Sequence, residues 1–289
     1  MKQTIRDWFP NGELLATARH QEGKINLPLS EHGFWQVDEI DLTERERFLV
    51  SLFREHHTPQ EATNPWQVYL MTGRGEMPQD VTRLQFLHAR LWTQADGTTI
   101  KEWLEMMAQL LPHQVAHFQL NQRDHIFVLD QGQLLDVKEV LVDTIEAMEF
   151  DFGLRMTLFL GQIWARVQDL PRLFQAELDW FDKWQSFYQS STVLTFSQLF
   201  LWGQAQASKD FDYLAQTLSA MIMSQDQLDE IILALWKEGA VLTKAAQRLY
   251  IHRNTLQYRL DRWHEISGLQ LKELTDLSLC YNLILSDLF

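Results

Sequence analysis

The tightest constraint on this chain is the run Lys244-Ala-Ala-Gln-Arg-Leu-Tyr-Ile-His-Arg-Asn-Thr-Leu-Gln-Tyr-Arg-Leu260. Two adjacent alanines, Ala245 and Ala246, let a second helix cross at close range. Leu249, Ile251, Leu256, Leu260 and Trp263 supply the apolar side chains that fix the crossing. Leu256, Leu260 and Trp263 stand at i, i+4 and i+7, one stripe of a helix. The face left outside carries His252, Arg253, Asn254, Thr255, Gln257, Tyr258, Asp261 and Arg262. A short helix, a turn and a second helix with such a face form a helix-turn-helix, whose second helix enters the DNA major groove. Thr243 is expected to cap the first helix, over Ala245 to Leu249. Tyr250 stands where such turns often carry glycine. A left-handed tyrosine costs about 1 kcal/mol, so a turn of slightly different type is expected.

Roles follow from side-chain chemistry. Arg253 can bond guanine with two donors, and Asn254 or Gln257 can do the same with adenine, each worth roughly 1–3 kcal/mol of discrimination. Thr255 and the backbone near Asn254 lie at the helix N-terminus, where free N–H groups and a partial positive charge suit contact with a phosphate or the groove floor. Lys244, Arg259 and Arg262 lie laterally and are expected to grip the DNA backbone. Between Thr243 and Trp263 the cations are Lys244, Arg248, Arg253, Arg259 and Arg262, against the single acid Asp261. The whole chain has a formal charge of -14. A diffuse nucleic-acid-binding surface is therefore excluded, and any DNA contact is confined to this basic island.

The chain has 289 residues, 46% hydrophobic and 22% charged, enough for two or three globular units. Its N-terminal residues lack the apolar core of a signal peptide, and no run approaches the roughly 20 apolar residues of a membrane span. One cysteine, Cys280, rules out a disulfide framework and a cysteine-rich zinc site, so a reducing cytoplasm is expected.

Upstream of the motif the periodicities change from segment to segment. Turn residues dominate the first forty positions, with a short strand expected over Gly33–Val37. Thr43 and Glu46 form a capping box for a helix with Phe48, Leu49, Leu52 and Phe53 on one face, and His56 to Pro65 is a linker. Trp66 to Thr72 is expected as a strand. Asp80 caps a predicted helix with Val81, Leu84, Leu87, His88 and Leu91 inward, and Thr99 with Glu102 opens another. Val115–Leu120 and Ile126–Leu129 flank hairpin residues Asn121 to His125. A helix through Val137, Val140, Leu141, Ile145 and Met148 follows, then a strand over Leu154–Leu160. Asp169 and Pro171 start a further helix, and Thr192–Phe196 is a last strand. The predicted order is β-α-α-β-β-α-β-α-β, a mixed sheet covered by helices. Helical residues 196–224 lead to a helix opened by a capping box at Ser224 and Gln227 and closed by Gly239. Gly268 ends the recognition helix, and Leu277, Cys280, Tyr281, Ile284, Leu285 and Leu288 line a final one.

Other candidate sites are weaker. His113 and His117 have metal-ligand spacing only if helical, which Pro112 forbids. Glu177, Asp179 and Asp182, like Glu146 and Glu149, are read as solvated helix acids. Gly73-Arg-Gly75 lacks a phosphate loop's third glycine and lysine. Cys280 belongs to an apolar stripe. No catalytic residue, metal site or cofactor is assigned.

His252-Arg-Asn-Thr-Leu-Gln-Tyr-Arg-Leu260, with Lys244-Ala-Ala-Gln-Arg-Leu249 before it and Ile266-Ser-Gly-Leu269 after it, resembles the C-terminal helix-turn-helix of PucR/CdaR-type transcriptional regulators over about Leu228 to Leu285. That resemblance implies binding of double-stranded DNA as a homodimer or higher oligomer, often under a small-molecule effector. It also implies a degenerate GGDEF-like middle domain. The turn Asn121-Gln-Arg-Asp124, at the place of the GGDEF sequence, lacks paired glycines and paired acids, which excludes a working cyclase. The expected fold class is α+β. Residues 1–63 form a variable N-terminal region, 64–197 a degenerate GGDEF-like α/β domain, 198–223 a helical linker and 224–289 an all-α helix-turn-helix domain. The expected function is a regulator reading a pseudo-palindromic site. The competing expectation is a metabolite-binding or protein-interaction module that no longer binds DNA.

Overall fold

A computed structural model describes residues 9, 12–15, 24–28, 34–38, 42, 43, 46, 64–73, 75–93, 95–204 and 209–288. The chain divides into two compact units, Met1–Glu61 and Ala62–Phe289. In the first, strands β1 (Glu13–Leu15), β2 (Lys24–Pro28) and β3 (Phe34–Asp38) form an antiparallel sheet of order β1-β3-β2. Ile25, Trp35, Val37 and Leu42 are its buried apolar residues, and the Trp35 indole N–H donates to the Phe9 carbonyl at 2.8 Å. The Thr43–Glu46 capping box forms: the Thr43 hydroxyl accepts the Glu46 N–H at 3.3 Å, and the Glu46 carboxylate accepts the Thr43 N–H at 2.8 Å. Bonds from the Thr43 side chain and backbone hold Glu46 below its usual carboxylate range. The apolar face expected at Phe48 to Phe53, and the linker up to residue 63, lie outside the described residues.

The second unit opens with a correction. Trp66 to Thr72, expected as a strand, is helix α1 (Pro65–Thr72). Asn64 caps it by accepting the Trp66 N–H at 2.9 Å, Pro65 fills the first turn, and Gly73 ends it in the left-handed region at φ 63°. Conversely, the helix expected after Asp80 is strand β4 (Arg83–Leu91). This strand is central and buried on both faces, so no alternation betrays it; Leu84, Leu87, His88 and Leu91 mimic helical spacing by coincidence. The first two elements are therefore interchanged, and the order reads α-β-α-β-β-α-β-α-β.

The remaining elements are α2 (Gly97–Leu110), β5 (Gln114–Gln119), β6 (Asp124–Asp130), α3 (Lys138–Phe152), β7 (Met156–Ala165), α4 (Leu170–Phe187) and β8 (Thr192–Thr195). Asp96, not Thr99, caps α2, accepting the N–H groups of Thr98 and Thr99 at 2.9 Å each. The sheet order is β5-β6-β4-β7-β8, antiparallel except for the parallel pair β7–β8. Its first four strands have the order of a split βαβ unit. The molecule is thus α+β, with a mixed five-stranded sheet in the middle and helices after it.

One face of the sheet packs on α2 and α3, through Trp103, Met107, Leu141 and Met148 against Leu87, Phe127 and Leu158. On the other face Phe86, Phe159 and Trp164 meet Phe174 and Phe181 of α4. That second core continues without a break through α5 (Phe196–Gly203), α6 (Lys209–Met223), α7 (Leu228–Lys237), α8 (Leu242–Arg248), α9 (Arg253–Ser267) and α10 (Leu274–Leu288). Glu177, expected as a solvated acid, is wholly buried here. Its carboxylate accepts the Gln162 N–H at 2.9 Å and the Trp164 indole N–H at 2.7 Å, and lies 3.4 Å from His88 Nε2. These donors offset the desolvation that would otherwise keep it outside. Among the described residues no helix is long and apolar enough to cross a membrane.

Candidate nucleic-acid interface

Helices α8 and α9 cross where Ala245 and Ala246 are both buried, and Leu256, Leu260 and Trp263 seal the crossing. Two expected caps are not used. Val241 precedes α8, placing Thr243 inside the helix, and Ser224 donates back to the Met221 carbonyl at 2.7 Å, leaving Gln227 as the N-cap of α7 with no side-chain capping bond. Tyr250 corrects another expectation. It takes φ 55°, so the turn has its usual left-handed residue, with tyrosine bearing the conformation that glycine adopts freely. Its ring is 96% exposed. The chain then bonds back through the Ile251 N–H to the Ala246 carbonyl at 3.1 Å.

The recognition helix α9 starts from His252, whose Nδ1 accepts the Asn254 N–H at 3.2 Å. Gly268 closes it at φ 73°, its N–H bonding the His264 carbonyl at 2.7 Å. Lys244, His252, Arg253, Asn254, Thr255, Tyr258 and Arg262 are exposed, while Gln257 and Arg259 are half-buried. The structure therefore gathers His252, Arg253, Asn254 and Thr255 at the N-terminal turn, with Lys244 on the preceding helix.

The cations are not equivalent. Arg248 pairs with Glu238 at 3.1 Å, Arg259 with Asp226 at 3.8 Å and Arg262 with Glu265 at 3.1 Å. Arg259 also donates to the Gln227 carboxamide at 2.8 Å, and Gln257 donates to Asp261 at 2.5 Å. Among the described residues Lys244 and Arg253 have no acidic partner within ion-pair distance. A charge count confined to Thr243–Trp263 could not see this, because Asp226, Glu238 and Glu265 all lie outside that window. Arg253 thus puts uncompensated positive charge at the start of α9, where the helix dipole adds to it, and Lys244 carries a second such charge on α8. Exposed pairs such as Arg262–Glu265 contribute little, so a phosphate can replace the acid.

The hairpin turn of the sheet has the opposite character. Asn121 accepts the N–H groups of Arg123 and Asp124 at 2.8 and 3.1 Å. Asp124 accepts Arg90 Nε at 2.5 Å, and Arg90 Nη2 also reaches Asp182 at 2.6 Å. The lone turn acid is thereby used within the fold. His117, weighed as a metal ligand, lies on β5 with its Nε2 3.1 Å from His125 Nδ1, and burial lowers both imidazoles to about 4. Among the described residues no three His, Cys, Asp or Glu side chains gather as for a metal ion. Cys280 is buried, and burial raises its thiol well above its usual range.

Comparison with known proteins places these observations. Residues 228–281 match the PucR C-terminal helix-turn-helix domain. Over 97% of its length the chain is 29% identical to the Leucine-rich protein of Streptococcus dysgalactiae subsp. equisimilis, covering 99% of that protein. It is 28% identical over 49% of its length to 22% of the Purine catabolism regulatory protein of Bacillus subtilis (strain 168). A solved structure, the Regulator of Polyketide Synthase Expression from Bifidobacterium adolescentis, is similar at a TM-score of 0.36 and 16% identity, covering 86% of this chain and 94% of that one. With its paired alanines, its left-handed turn and the family match over residues 228–281, the end of the chain is a C-terminal helix-turn-helix domain of the PucR type.

Proposed function

We propose that this chain is a cytoplasmic transcriptional regulator that binds double-stranded DNA as a homodimer or higher homo-oligomer and reads a pseudo-palindromic site through α9, under metabolite control. Residues 224–289 make the DNA contact, 198–223 link them to the GGDEF-like α/β domain at 64–197, and that domain together with the N-terminal region 1–63 serves sensing or dimerisation. The observation that carries this reading is the exposed charge of Arg253 at the N-terminal turn of α9 and of Lys244 on α8, without an acidic partner among the described residues. Arg253, Asn254, Gln257 and Tyr258 read base edges, and Thr255 meets a phosphate or the groove floor. Lys244, His252, Arg259 and Arg262 hold phosphates. One such helix reads only a few base pairs, so two copies on related half-sites are required for a useful site.

A second reading is supported by the acids that partner Arg248, Arg259 and Arg262: a metabolite-binding or protein-interaction module that no longer engages DNA. Enrichment of genomic fragments on the purified full chain, at low salt and with or without cell extract, separates the two. Recovery of a shared sequence supports the regulator; no enrichment under either condition overturns it.

A further inference from the structure

The last turn of α9 is held by the sheet as well as by neighbouring helices. Carbonyls in the final turn of a helix have no intrahelical donor. Here two are served by strands. Gln162 of β7, only 1% exposed, donates its Nε2–H to the Ser267 carbonyl at 2.5 Å. Arg83, at the start of β4, donates one guanidinium N–H to the Glu265 carbonyl and another to the Gly132 carbonyl at 2.7 Å. Gly268 lies so close to β7 that a Cβ there would stand 2.8 Å from Ile163 Cδ1.

Gln162 is itself fixed by an irregularity in the sheet. Ile163 pairs with Gln85 and Leu160 with Leu87, so Gly161 and Gln162 together oppose Phe86, a β-bulge. The bulge turns the Gln162 N–H toward Glu177, and a side chain at Gly161 would collide with that carboxylate. The Gly161 carbonyl accepts Gln85 Nε2 at 2.8 Å, and Gln131 Nε2 donates to Gln85 at 2.8 Å. Buried side chains thus hold the bulge on both sides, and the bulge presents one amide to the recognition helix.

We propose that Gln162 and Arg83 are positioning residues for DNA reading: they fix the direction of α9 against the α/β domain and so set the distance between the half-sites that two copies can occupy. This rests on the regulator reading above. A helix packed only on α8 can rock about that crossing, whereas one whose far end is bonded to a sheet cannot. The contacts lie at the end of α9 remote from Arg253 and Asn254, so they act on geometry and leave base recognition unchanged.

The test is selection of DNA from a random pool by the full chain and by a Gln162→Met/Arg83→Met variant, which keeps side-chain bulk and removes the donors. The wild type should select paired half-sites at one spacing. The variant should select the same half-site at several spacings, and amides 264–269 should exchange about tenfold faster while Leu256–Leu260 keep their protection. An unchanged single spacing, or a changed half-site sequence, overturns the proposal. Loss of protection at Leu256–Leu260 marks unfolding, and Arg83→Met alone, at a half-buried position, then decides by the same criteria. Failure of the wild type to select any DNA overturns the regulator reading instead, and that result appears before any variant is made.

Discussion

The hairpin turn at Asn121–Asp124 and the helix-turn-helix at Thr243–Leu260 are both short polar connections between well-packed elements, yet they dispose of their polar groups in opposite ways. At the hairpin Asp124 is bonded to Arg90 and Asn121, and the neighbouring His117 and His125 bond each other. At the helix-turn-helix Arg253, at the start of α9, and Lys244, on α8, are exposed without an acidic partner among the described residues. A polar turn whose groups bond one another serves the fold; one that leaves charge unspent is available to a ligand. Side-chain composition alone does not distinguish them.

That contrast can be broken most forcefully at Arg90. Arg90→Ala leaves Asp124, which is 11% exposed, bonded to Asn121 but without its cation, and should destabilise the second unit by about 3 kcal/mol in urea unfolding while leaving DNA affinity unchanged. A loss of DNA binding in excess of unfolding would refute the division of labour. The histidine pair gives a pH test of the same region. Both imidazoles are lowered to about 4 by burial, below the roughly 6.5 of an unfolded chain. Between those values the unfolded state binds more protons, so the stabilisation is complete above about pH 6.5 and is lost as pH falls toward 4. The loss should approach about 3 kcal/mol for each imidazole, and His125→Phe should flatten the profile of stability against pH.

At the helix-turn-helix the signs reverse. Arg253→Ala should leave the unfolding midpoint unchanged and remove roughly 1–3 kcal/mol of sequence discrimination, read as the affinity ratio between selected and scrambled DNA. Lys244→Ala should weaken both DNAs alike and reduce the salt slope by about 1. An equal loss pattern from the two variants would contradict the assigned roles. The smallest effect is at Tyr250. Relief of its left-handed strain, less the extra unfolded-state entropy of glycine, should make Tyr250→Gly more stable by about 0.5 kcal/mol. Thermal unfolding measures this, and a decrease in stability would show that the exposed ring contributes to the fold.

The sequence was most legible where local signals coincide. Paired alanines, a stripe at Leu256, Leu260 and Trp263, and Gly268 as a stop describe α8 and α9 closely. Asp169 with Pro171 likewise marked α4. It was least legible where tertiary burial overrides local pattern. β4 is covered on both faces and so lost its alternation, and the Asn64-Pro65 helix start was hidden by strand-like residues after it. Glu177 looked solvated because its donors, the Gln162 N–H and Trp164 indole, come from a bulged strand that no local signal announces. The compensation of Arg248 and Arg259 was hidden for a similar reason, since Glu238 and Asp226 are brought in by the connections flanking α7.

The unbroken core from Phe86 and Trp164 to Leu279 and Ile284 has a consequence for handling the protein. α10 presents apolar side chains to α5 and α6 as well as to α7, so a fragment cut at residue 224 would carry those faces bare into water. Such a fragment should aggregate or melt early, and calorimetry of the full chain should show the five-stranded sheet and the helix-turn-helix absorbing heat in one transition.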